Sequence, residues 1–267
     1  MNFGAICRLA ALVILGMVAA RPALAQQGTE DLAKAAQNPI ASMISLPFQN
    51  NSNLNFGPLE KTQNVLNVQP VYPFNLSENW KVITRTIIPV VSQPGLVPGQ
   101  SRTNGIGNTT FVPYFTPEQT GKAIFGFAPV LMLPASNASV GSRAWGLGLS
   151  AIVLAMPGQW VVGSTFTNVS SVNADPNDKL NLFTWQYFIN YNMPRGWYLT
   201  SAPIITANWE ASSDNKWTVP FGGGVGRVFR IGKQAINSNI GAYYNVERPE
   251  FGPNWQIRLQ FTFLFPK

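Results

Sequence analysis

The chain has 267 residues, a single cysteine and no histidine, and only 11% of its residues are charged, against roughly 25% in soluble domains. Because histidine is absent, serine–histidine triads, cysteine–histidine pairs and histidine metal sites are all excluded. The formal net charge of +7 comes from basic residues scattered singly, whereas nucleic-acid-binding proteins gather them in a stripe. We therefore expect no enzyme, no cofactor, no metal site and no nucleic-acid partner.

The first 25 residues have the organisation of a secretory signal peptide. Arg8 is followed by an apolar stretch of about a dozen residues and then by the sequence A-L-A, which ends at Ala25 and matches a cleavage site. This stretch is too short for a membrane-spanning helix, which needs about 20 residues. Cys7 precedes the stretch and is therefore not a lipoprotein cysteine. We predict export, with cleavage after Ala25.

The next segment, residues 26–39, predicts a short helix. Thr29 can cap it, acidic residues occupy its first turn, and Asn38 with Pro39 ends it. This N-terminal helical segment could be a periplasmic tether, a partial plug of the domain that follows, or only a leader.

The remaining residues, 40–267, contain about twelve strand-like segments separated by turn signals. The last segment is the clearest, because apolar and polar side chains alternate along it with Leu264 as the one exception. The segments are residues 44–56, 62–72, 80–91, 106–115, 122–133, 145–156, 160–172, 179–193, 197–210, 217–231, 235–247 and 255–265. Either a soluble sandwich or a transmembrane barrel would use a strand with one apolar face.

Short and long connections alternate along the chain, and this favours the barrel. Short turns at 75–79, 116–121, 157–159, 194–196 and 232–234 alternate with links at 57–61, 92–105, 134–144, 173–178, 211–216 and 248–254, most of which are longer. Outer-membrane barrels have short periplasmic turns and longer outer loops, whereas a sandwich has no reason to alternate. The predicted fold is an all-β, antiparallel transmembrane β-barrel with a short N-terminal helix, located in the bacterial outer membrane.

Prolines and glycines interrupt several segments. Six prolines fall inside or near the ends of the segments: Pro70, Pro89, Pro113, Pro129, Pro203 and Pro220. A closed barrel has no edge strand to accept them, so they must lie at bulges or strand ends, or some strands must be shorter. The run G-G-G-V-G at residues 222–226 lacks the lysine and helix of a phosphate-binding loop and instead predicts a bend or a close backbone approach.

Aromatic residues mark the strand ends and would form the girdles of a barrel at the membrane interface. The predicted girdle consists of Trp80, Trp145, Trp160, Trp197, Trp209, Trp217 and Trp255. Four tyrosines also lie close to turns: Tyr72, Tyr114, Tyr191 and Tyr198. Ordinary β-propensity is the alternative explanation for these positions.

The polar faces of the strands predict the lumen and the path of a solute. The candidate lining residues are Gln63, Asn67, Gln69, Arg85, Gln186, Asn190, Thr206, Asn208, Asn237, Asn239, Tyr243, Asn245, Gln256, Arg258 and Gln260. Amides and hydroxyls can bind water or a polar solute without fixing a charge. Arg85, Arg230 and Arg258 could set an anion preference or bind a carboxylate, or could be wall residues bonded to neighbouring amides. We expect a weakly anion-selective pore with Arg258 as its best-placed lumen cation.

Four stretches of the sequence resemble one family of bacterial outer-membrane barrels. They are AKAAQNPIASMISLPFQNN at residues 33–51, ITRTIIPV at 83–90, GWYLTSAPIITANWEA at 196–211 and the C-terminal WQIRLQFTFLFPK. These stretches are similar to transporters of the family named for the meta-pathway of phenol degradation, and the likeness spans nearly all of the mature chain. The resemblance implies an outer-membrane barrel that passes small aromatic or hydrophobic compounds.

Two positions depart from that family. Relatives often carry Gly-x-Gly-Asp where this chain has G-I-G-N, with Asn108 in place of the acid. Many outer-membrane barrels also end on an aromatic residue that the assembly machinery recognises, whereas this chain continues past Phe265 with Pro266 and Lys267.

Together these patterns predict an outer-membrane channel or transporter for small molecules, aromatic or hydrophobic ones among them. Its partners would be outer-membrane lipid and lipopolysaccharide, the barrel-assembly machinery and a small-molecule solute. A non-conducting structural barrel and a soluble periplasmic barrel that binds a hydrophobic ligand are the alternatives. An outer-membrane hydrolase is disfavoured because lipases of similar strand number use serine with histidine, which this chain lacks.

Overall fold

The computed structural model describes residues 28–118, 121–172 and 174–266, so the segment predicted to be a signal peptide lies outside the described residues. Within the described ranges, no helix combines the length and the apolar character needed to cross a bilayer. The elements are helix α1 (Thr29–Gln37) and strands β1 (Ile44–Phe56), β2 (Lys61–Val68), β3 (Val71–Asn75), β4 (Trp80–Gln93), β5 (Thr103–Ile106), β6 (Thr110–Pro117), β7 (Ala123–Met132), β8 (Trp145–Ala155), β9 (Trp160–Val172), β10 (Asn181–Asn192), β11 (Trp197–Ser201), β12 (Ile204–Asn208), β13 (Trp217–Ile231), β14 (Gln234–Glu247) and β15 (Trp255–Phe265). Short 3-10 helices occupy Pro176–Asp178, Pro194–Gly196 and Ser213–Asn215.

The strands form one closed, antiparallel barrel of twelve. Three of the twelve barrel strands are built from two pieces each, namely β2 with β3, β5 with β6, and β11 with β12. The barrel closes where β1 pairs with β15, from Ile44 opposite Phe265 to Leu54 opposite Trp255. The predicted fold class is confirmed.

Two of the breaks between strand pieces lie at prolines, but two other prolines lie inside strands, where the sequence analysis does not expect them. Pro70 separates β2 from β3 and Pro203 separates β11 from β12, because proline has no N–H for the ladder. Pro220 lies at a register shift in β13. Pro113 and Pro129, however, lie inside β6 and β7, away from strand ends. The register places these two prolines opposite each other, so their missing N–H groups fall at one point of the ladder and interrupt it once.

The loop after β4 is shorter than the sequence predicts. Residues 92–105 are expected in a loop, but β5 pairs with β4 as far as Thr103 opposite Gln93. The break between β5 and β6 lies beside Pro89, whose carbonyl accepts a backbone hydrogen bond of 2.8 Å from that break. The loop is therefore residues 94–102.

The two ends of the barrel differ in the length of their connections, as the sequence predicts. At the end where β1 begins and β15 finishes, which we call the short-turn end, the connections are residues 76–79, 118–122, 156–159, 193–196 and 232–233. At the opposite, long-loop end the connections are residues 57–60, 94–102, 133–144, 173–180, 209–216 and 248–254.

Side chains alternate between an apolar outer face and an inner face. In β15, Leu259 and Phe261 are more than 40% exposed, whereas Arg258 is 4% and Thr262 is 3% exposed. Because period-two alternation sends neighbours to opposite faces, the polar set of this strand points into the barrel. Exposed apolar side chains recur on β7, β8, β13 and β14, which gives the barrel a largely apolar outer surface of the kind that faces lipid.

Polar side chains on the outer face are hydrogen-bonded to one another. Asn50 and Ser52 of β1 and Asn64 of β2 have outward parity, because Asn50 lies opposite the exposed Leu259. The Asn50 amide donates to Ser52 and to Asn64 at 3.2 Å each, and the Ser52 hydroxyl donates to Asn64 at 2.9 Å. Internal pairing is what polar groups in contact with hydrocarbon require.

Helix α1 folds back into the mouth of the barrel at the short-turn end. Leu32 is 1% exposed and packs in one cluster with the inward-facing Val228 and Leu264. Gln37 Nε2 donates a 2.8 Å hydrogen bond to Asn192 Oδ1 at the end of β10. Among the three roles open to this segment, the packing is that of a partial plug.

Residues 40–43 are predicted from the sequence to belong to the barrel wall, but they pack inside the lumen next to α1. Ile40 is 1% exposed and packs among inward-facing side chains such as Val112 and Phe188. The first strand begins only at Ile44, because the chain must first leave the lumen before it can join the wall.

Candidate functional site

The inner wall has two sectors of different chemistry. We call the inward faces of β13, β14, β15, β1 and β2 the amide sector, because asparagine and glutamine are frequent on β14, β15, β1 and β2, and β13 contributes the glycines beside them. We call the inward faces of β4 to β10 the apolar sector, because they carry the larger buried cluster of apolar side chains, with threonines between them. The lumen lies between these sectors.

A row of amides crosses four barrel strands near the long-loop end. Gln256 Nε2 donates to Asn53 Oδ1 at 3.0 Å, and Asn53 Nδ2 donates to Gln63 Oε1 at 2.7 Å. Gln63 Nε2 then donates to Gln93 Oε1 at 2.6 Å. An amide can both donate and accept, which allows such a chain to extend from strand to strand without a charged group between its members.

Glycines in the amide sector leave space for tyrosine rings against the wall. A β-carbon at Gly226 would overlap the ring of Tyr198, which is 2% exposed and whose hydroxyl donates to Asn237 Oδ1 at 2.7 Å. Gly241 lies close to the ring of Tyr243, where a β-carbon would be 3.2 Å from the nearest ring carbon. The run at residues 222–226 therefore serves close packing inside the barrel, in line with the close approach that the sequence predicts.

Arg258 is held in place by the amide sector and leaves little of its charge exposed. Its Nε donates to Asn51 Oδ1 at 3.3 Å, its Nη1 to the carbonyl of Ala202 at 2.7 Å and its Nη2 to Gln256 Oε1 at 2.9 Å. The guanidinium also lies 4.6 Å from the centre of the Tyr243 ring, within the range of a cation–π contact. Of the two roles that the sequence allows, this geometry is that of a wall residue bonded to amides.

Two cavities occupy the lumen, one above the other along the barrel axis. The upper cavity, in the long-loop half, has a volume of about 320 Å³, and the lower one, next to α1, has about 160 Å³. Four side chains line both cavities and form the neck between them: Gln49, Gln69, Arg85 and Gln186. The neck thus contains three amides and one cation.

The upper cavity has an apolar wall opposite its polar neck. Its apolar lining is Ile87, Val112, Val130, Met132, Val169, Leu180, Leu182 and Ile204. Threonine side chains, Asn67, Asn108 and the neck side chains provide the polar part. A small molecule in this cavity would meet hydrocarbon on one side and hydrogen-bonding groups on the other.

Arg85 is the cation of the neck. It points inward with the same parity as Ile83 and Ile87, and it is only partly buried. Within the described ranges its guanidinium makes one side-chain hydrogen bond, from Nη2 to Gln69 Oε1, and no salt bridge. The described salt bridge, Lys81 with Glu118 at 3.8 Å, lies near the short-turn end.

About half of the residues predicted for the solute path line a cavity. Those on the cavities are Asn67, Gln69, Arg85, Gln186, Asn190, Asn237, Asn239 and Gln260. The others lie outside the cavity linings and are Gln63, Thr206, Asn208, Tyr243, Asn245, Gln256 and Arg258. Thr206 faces inward opposite Thr184, and Asn245 donates to the carbonyl of Pro253 at 2.7 Å, so it fastens the last loop.

The apolar lining residues are absent from the sequence prediction. In β7, Phe127 and Leu131 face outward while Val130 and Met132 face inward, so both faces of the strand are apolar. Alternation identifies a lumen face only where that face is polar. The one available signal is Arg85, which shares its parity with the apolar Ile87.

The predicted girdle tryptophans lie in two groups on the outer face. Near the short-turn end are Trp80, Trp160 and Trp197, and near the long-loop end are Trp145, Trp209, Trp217 and Trp255. Six of them are at least 37% exposed, and Trp217 is partly covered. Tyr114 and Tyr198 differ from the tryptophans, because their inward parity buries them in the lumen.

Asn108 fastens the loops above the upper cavity. Its Nδ2 donates to the carbonyls of Leu133 and Ser142 at 3.1 and 2.8 Å, and its Oδ1 accepts from the Ser142 N–H at 2.9 Å. An aspartate could make the accepted bond but neither of the donated ones. The amide at this position therefore matches its surroundings in this chain.

No protein-family signature matches the chain, and no curated protein matches it. Solved structures with the same architecture do exist. An outer membrane channel from Pseudomonas putida F1 superposes with a TM-score of 0.61 at 16% identity, over 84% of this chain and 94% of that chain. The NanC porin superposes with a TM-score of 0.53 at 8% identity, over 84% of this chain and 99% of that chain. Identities this low indicate a shared fold, so the chain has the fold of outer-membrane β-barrels, and membership of the meta-pathway family stays a prediction.

Proposed function

We propose that the protein is an outer-membrane channel for small molecules, with aromatic or hydrophobic compounds among its solutes. The observation that carries this proposal is the cavity of about 320 Å³ inside a closed barrel, with an apolar wall beside hydrogen-bonding groups. The apolar outer face supports insertion in a bilayer over a soluble barrel. Outer-membrane lipid and the barrel-assembly machinery would then be its surroundings and its route of insertion.

A solute on this route would meet three constrictions in turn. Loops fastened by Asn108 lie above the upper cavity, the four neck side chains lie below it, and helix α1 occupies the mouth at the short-turn end. Helix α1 narrows the way into the periplasm, because it packs directly against inward-facing side chains. We expect a narrow channel whose conductance is limited at this mouth.

A non-conducting barrel is the second candidate, and the same helix favours it. If α1 and the adjoining residues fill the mouth at all times, the lumen is a closed chamber. The buried Leu32 and the Gln37–Asn192 hydrogen bond are the contacts that would keep it there.

Conductance in planar lipid bilayers separates these two candidates. We expect the wild-type protein to give small current steps and the Leu32→Asn variant, which weakens the packing of α1, to give larger ones. Asp31→Asn is the matched control, because Asp31 lies on the exposed side of the same helix and its change should leave the conductance as it is. Absence of current from both wild type and Leu32→Asn, in protein shown to be folded, would reject the channel.

The aromatic part of the proposal has its own measurement. A neutral aromatic such as benzyl alcohol should reduce the current by occupying the upper cavity, and glycerol at the same concentration should not. Substituting Val130 by asparagine, which makes the cavity wall polar, should weaken this block by several-fold, because the apolar contact would be lost. Equal effects of the two solutes would contradict an apolar preference.

A further inference from the structure

The charge of Arg85 has no counter-ion in the described part of the chain. A guanidinium carries five N–H donors, and the described contacts use one of them, towards Gln69. Every fully buried side-chain nitrogen or oxygen of the described residues has a hydrogen-bond partner. The remaining N–H groups of Arg85 are therefore open to the two cavities that it lines and are not sealed in the wall.

Arg258 is an arginine of the same barrel whose hydrogen-bond donors are satisfied by the wall. It is 4% exposed, each of its three nitrogens has an acceptor, and a tyrosine ring covers it. It also lies outside the lining of both cavities. Comparison of the two arginines indicates that Arg85 is the one presented to a solute.

The surroundings of Arg85 define the shape of a matching solute. Gln49, Gln69 and Gln186 line the neck together with Arg85, and Gln69 is the one that bonds to its guanidinium. Ile87, Val112 and Ile204 are part of the apolar lining of the upper cavity. A cation in a confined space with walls of low polarity attracts an anion strongly. The apolar wall adds favourable burial for a hydrocarbon body attached to that anion.

We propose that Arg85 and the upper cavity form a binding site for a small carboxylate with an apolar body of about the size of one aromatic ring. The carboxylate would accept paired hydrogen bonds from the guanidinium fork and further bonds from the neck amides. The body would lie against the apolar wall above. A volume of about 320 Å³ lies at the lower end of ligand pockets, which span about 300–1,000 Å³, so the site takes one small molecule.

This site rests on the proposed function, because it names the class of solute that the channel would hold, but binding can be measured without conduction. The experiment is calorimetric titration of the full-length protein in detergent micelles with three probes. Benzoate has both the anion and the ring, benzamide has the ring without the charge, and acetate has the charge without the ring. We expect benzoate to bind at least about tenfold more tightly than either of the others, because charged hydrogen bonds and apolar burial both contribute.

Variants assign the charge to one residue. Arg85→Gln should weaken benzoate binding by about tenfold or more and leave benzamide binding unchanged, since only the charged hydrogen bonds are lost. Arg85→Lys keeps the charge without the fork and should lie between the two. Arg227→Gln is the matched control, because this substitution removes the same charge from outside the lumen. Arg227 lies on the outer face, 5.1 Å from the centre of the Trp197 ring.

The outcomes separate the site from the channel. Equal affinities for benzoate and benzamide, or a folded Arg85→Gln protein that still binds benzoate as wild type does, would overturn the site. If Arg85→Gln does not fold, the comparison of the three probes on the wild-type protein and on Arg85→Lys decides instead. Benzoate binding in a barrel that carries no current would support the site and reject the channel, whereas current without Arg85-dependent benzoate binding would do the reverse.

Discussion

The amide sector and the apolar sector of the lumen are built from strands of the same barrel, yet they treat a buried cation in opposite ways. In the amide sector Arg258 finds three acceptors and a tyrosine ring within its own wall. At the edge of the apolar sector Arg85 finds one amide and otherwise faces the cavity. Hydrogen-bonding side chains close together satisfy a charge internally, whereas a hydrocarbon wall leaves the charge available to a ligand.

The largest expected effect tests the assignment of inner and outer faces on which this comparison rests. It concerns which face of β15 meets lipid. Leu259→Arg should lower the stability of the inserted barrel by about 2–4 kcal/mol, because it places a charge on the outer face near mid-depth. Gln260→Arg, one residue along on the inner face, should be tolerated. The measurement is the folded fraction in lipid vesicles as a function of urea, and greater damage from Gln260→Arg would mean that the two faces are assigned the wrong way round.

The next largest effect tests whether Arg258 is structural. Arg258→Gln should lower the free energy of unfolding by about 1–3 kcal/mol, because the buried Asn51 and the Ala202 carbonyl lose their donor. Urea unfolding of the purified barrel measures the change. Arg230→Gln is the control, since Arg230 is exposed at the short-turn end and its loss should change stability by less than about 0.5 kcal/mol. Similar losses for the two variants would contradict the fixed role of Arg258.

A smaller effect is expected above the upper cavity, where loops join the apolar sector. Asn108→Asp should weaken the loops by about 1 kcal/mol, because the carboxylate cannot donate to the Leu133 and Ser142 carbonyls. Limited proteolysis within residues 133–144 should become faster by several-fold while the barrel stays intact. Asn137→Asp in the same loop is the comparison, and equal acceleration by both would indicate that position 108 has no special part in the closure.

The smallest stability change, below about 0.5 kcal/mol, is expected for Arg85→Gln, because glutamine can still bond to Gln69 and an unpaired charge is removed.

Ion selectivity should depend more on Arg85 than on Arg258, which is the reverse of their expected effects on stability. In a dilute salt gradient Arg85→Gln should shift the reversal potential toward cations more than Arg258→Gln does. The shift should shrink at 1 M salt, where screening acts within about 3 Å instead of about 10 Å at 0.1 M. A larger shift from Arg258→Gln would mean that Arg258 is the lumen cation that sets ion selectivity, as the sequence predicts.

Sequence alone predicted the fold because the physical requirement repeats in every strand. In β15, Arg258 and Gln260 can only share a face opposite Leu259 and Phe261, and a membrane barrel explains the exposed apolar set. The alternation of short turns and longer links belongs to the same architecture.

The site was only partly predictable from the sequence. Its apolar lining and the state of its arginines depend on contacts between distant parts of the chain. Val130 and Met132 cannot be told from the outward residues of β7 when both faces are apolar. The state of Arg258 depends on Ala202, 56 residues away, and on Tyr243, neither of which the alternation of β15 reveals. Which arginine meets the cavity is therefore a property of the assembled barrel.

The position of α1 has a consequence for the order of folding. The helix precedes every strand in the chain, yet it packs on β10 and β13, and its bond from Gln37 to Asn192 joins residues 155 apart. Contacts of such separation form late, because the loop between the partners must close first. Leu264 of β15 is part of the cluster that receives the helix, so the receiving surface is complete only when the last strand has joined the first. We therefore expect docking of α1 to be the final step of assembly, with the lumen open to water until the barrel wall is finished.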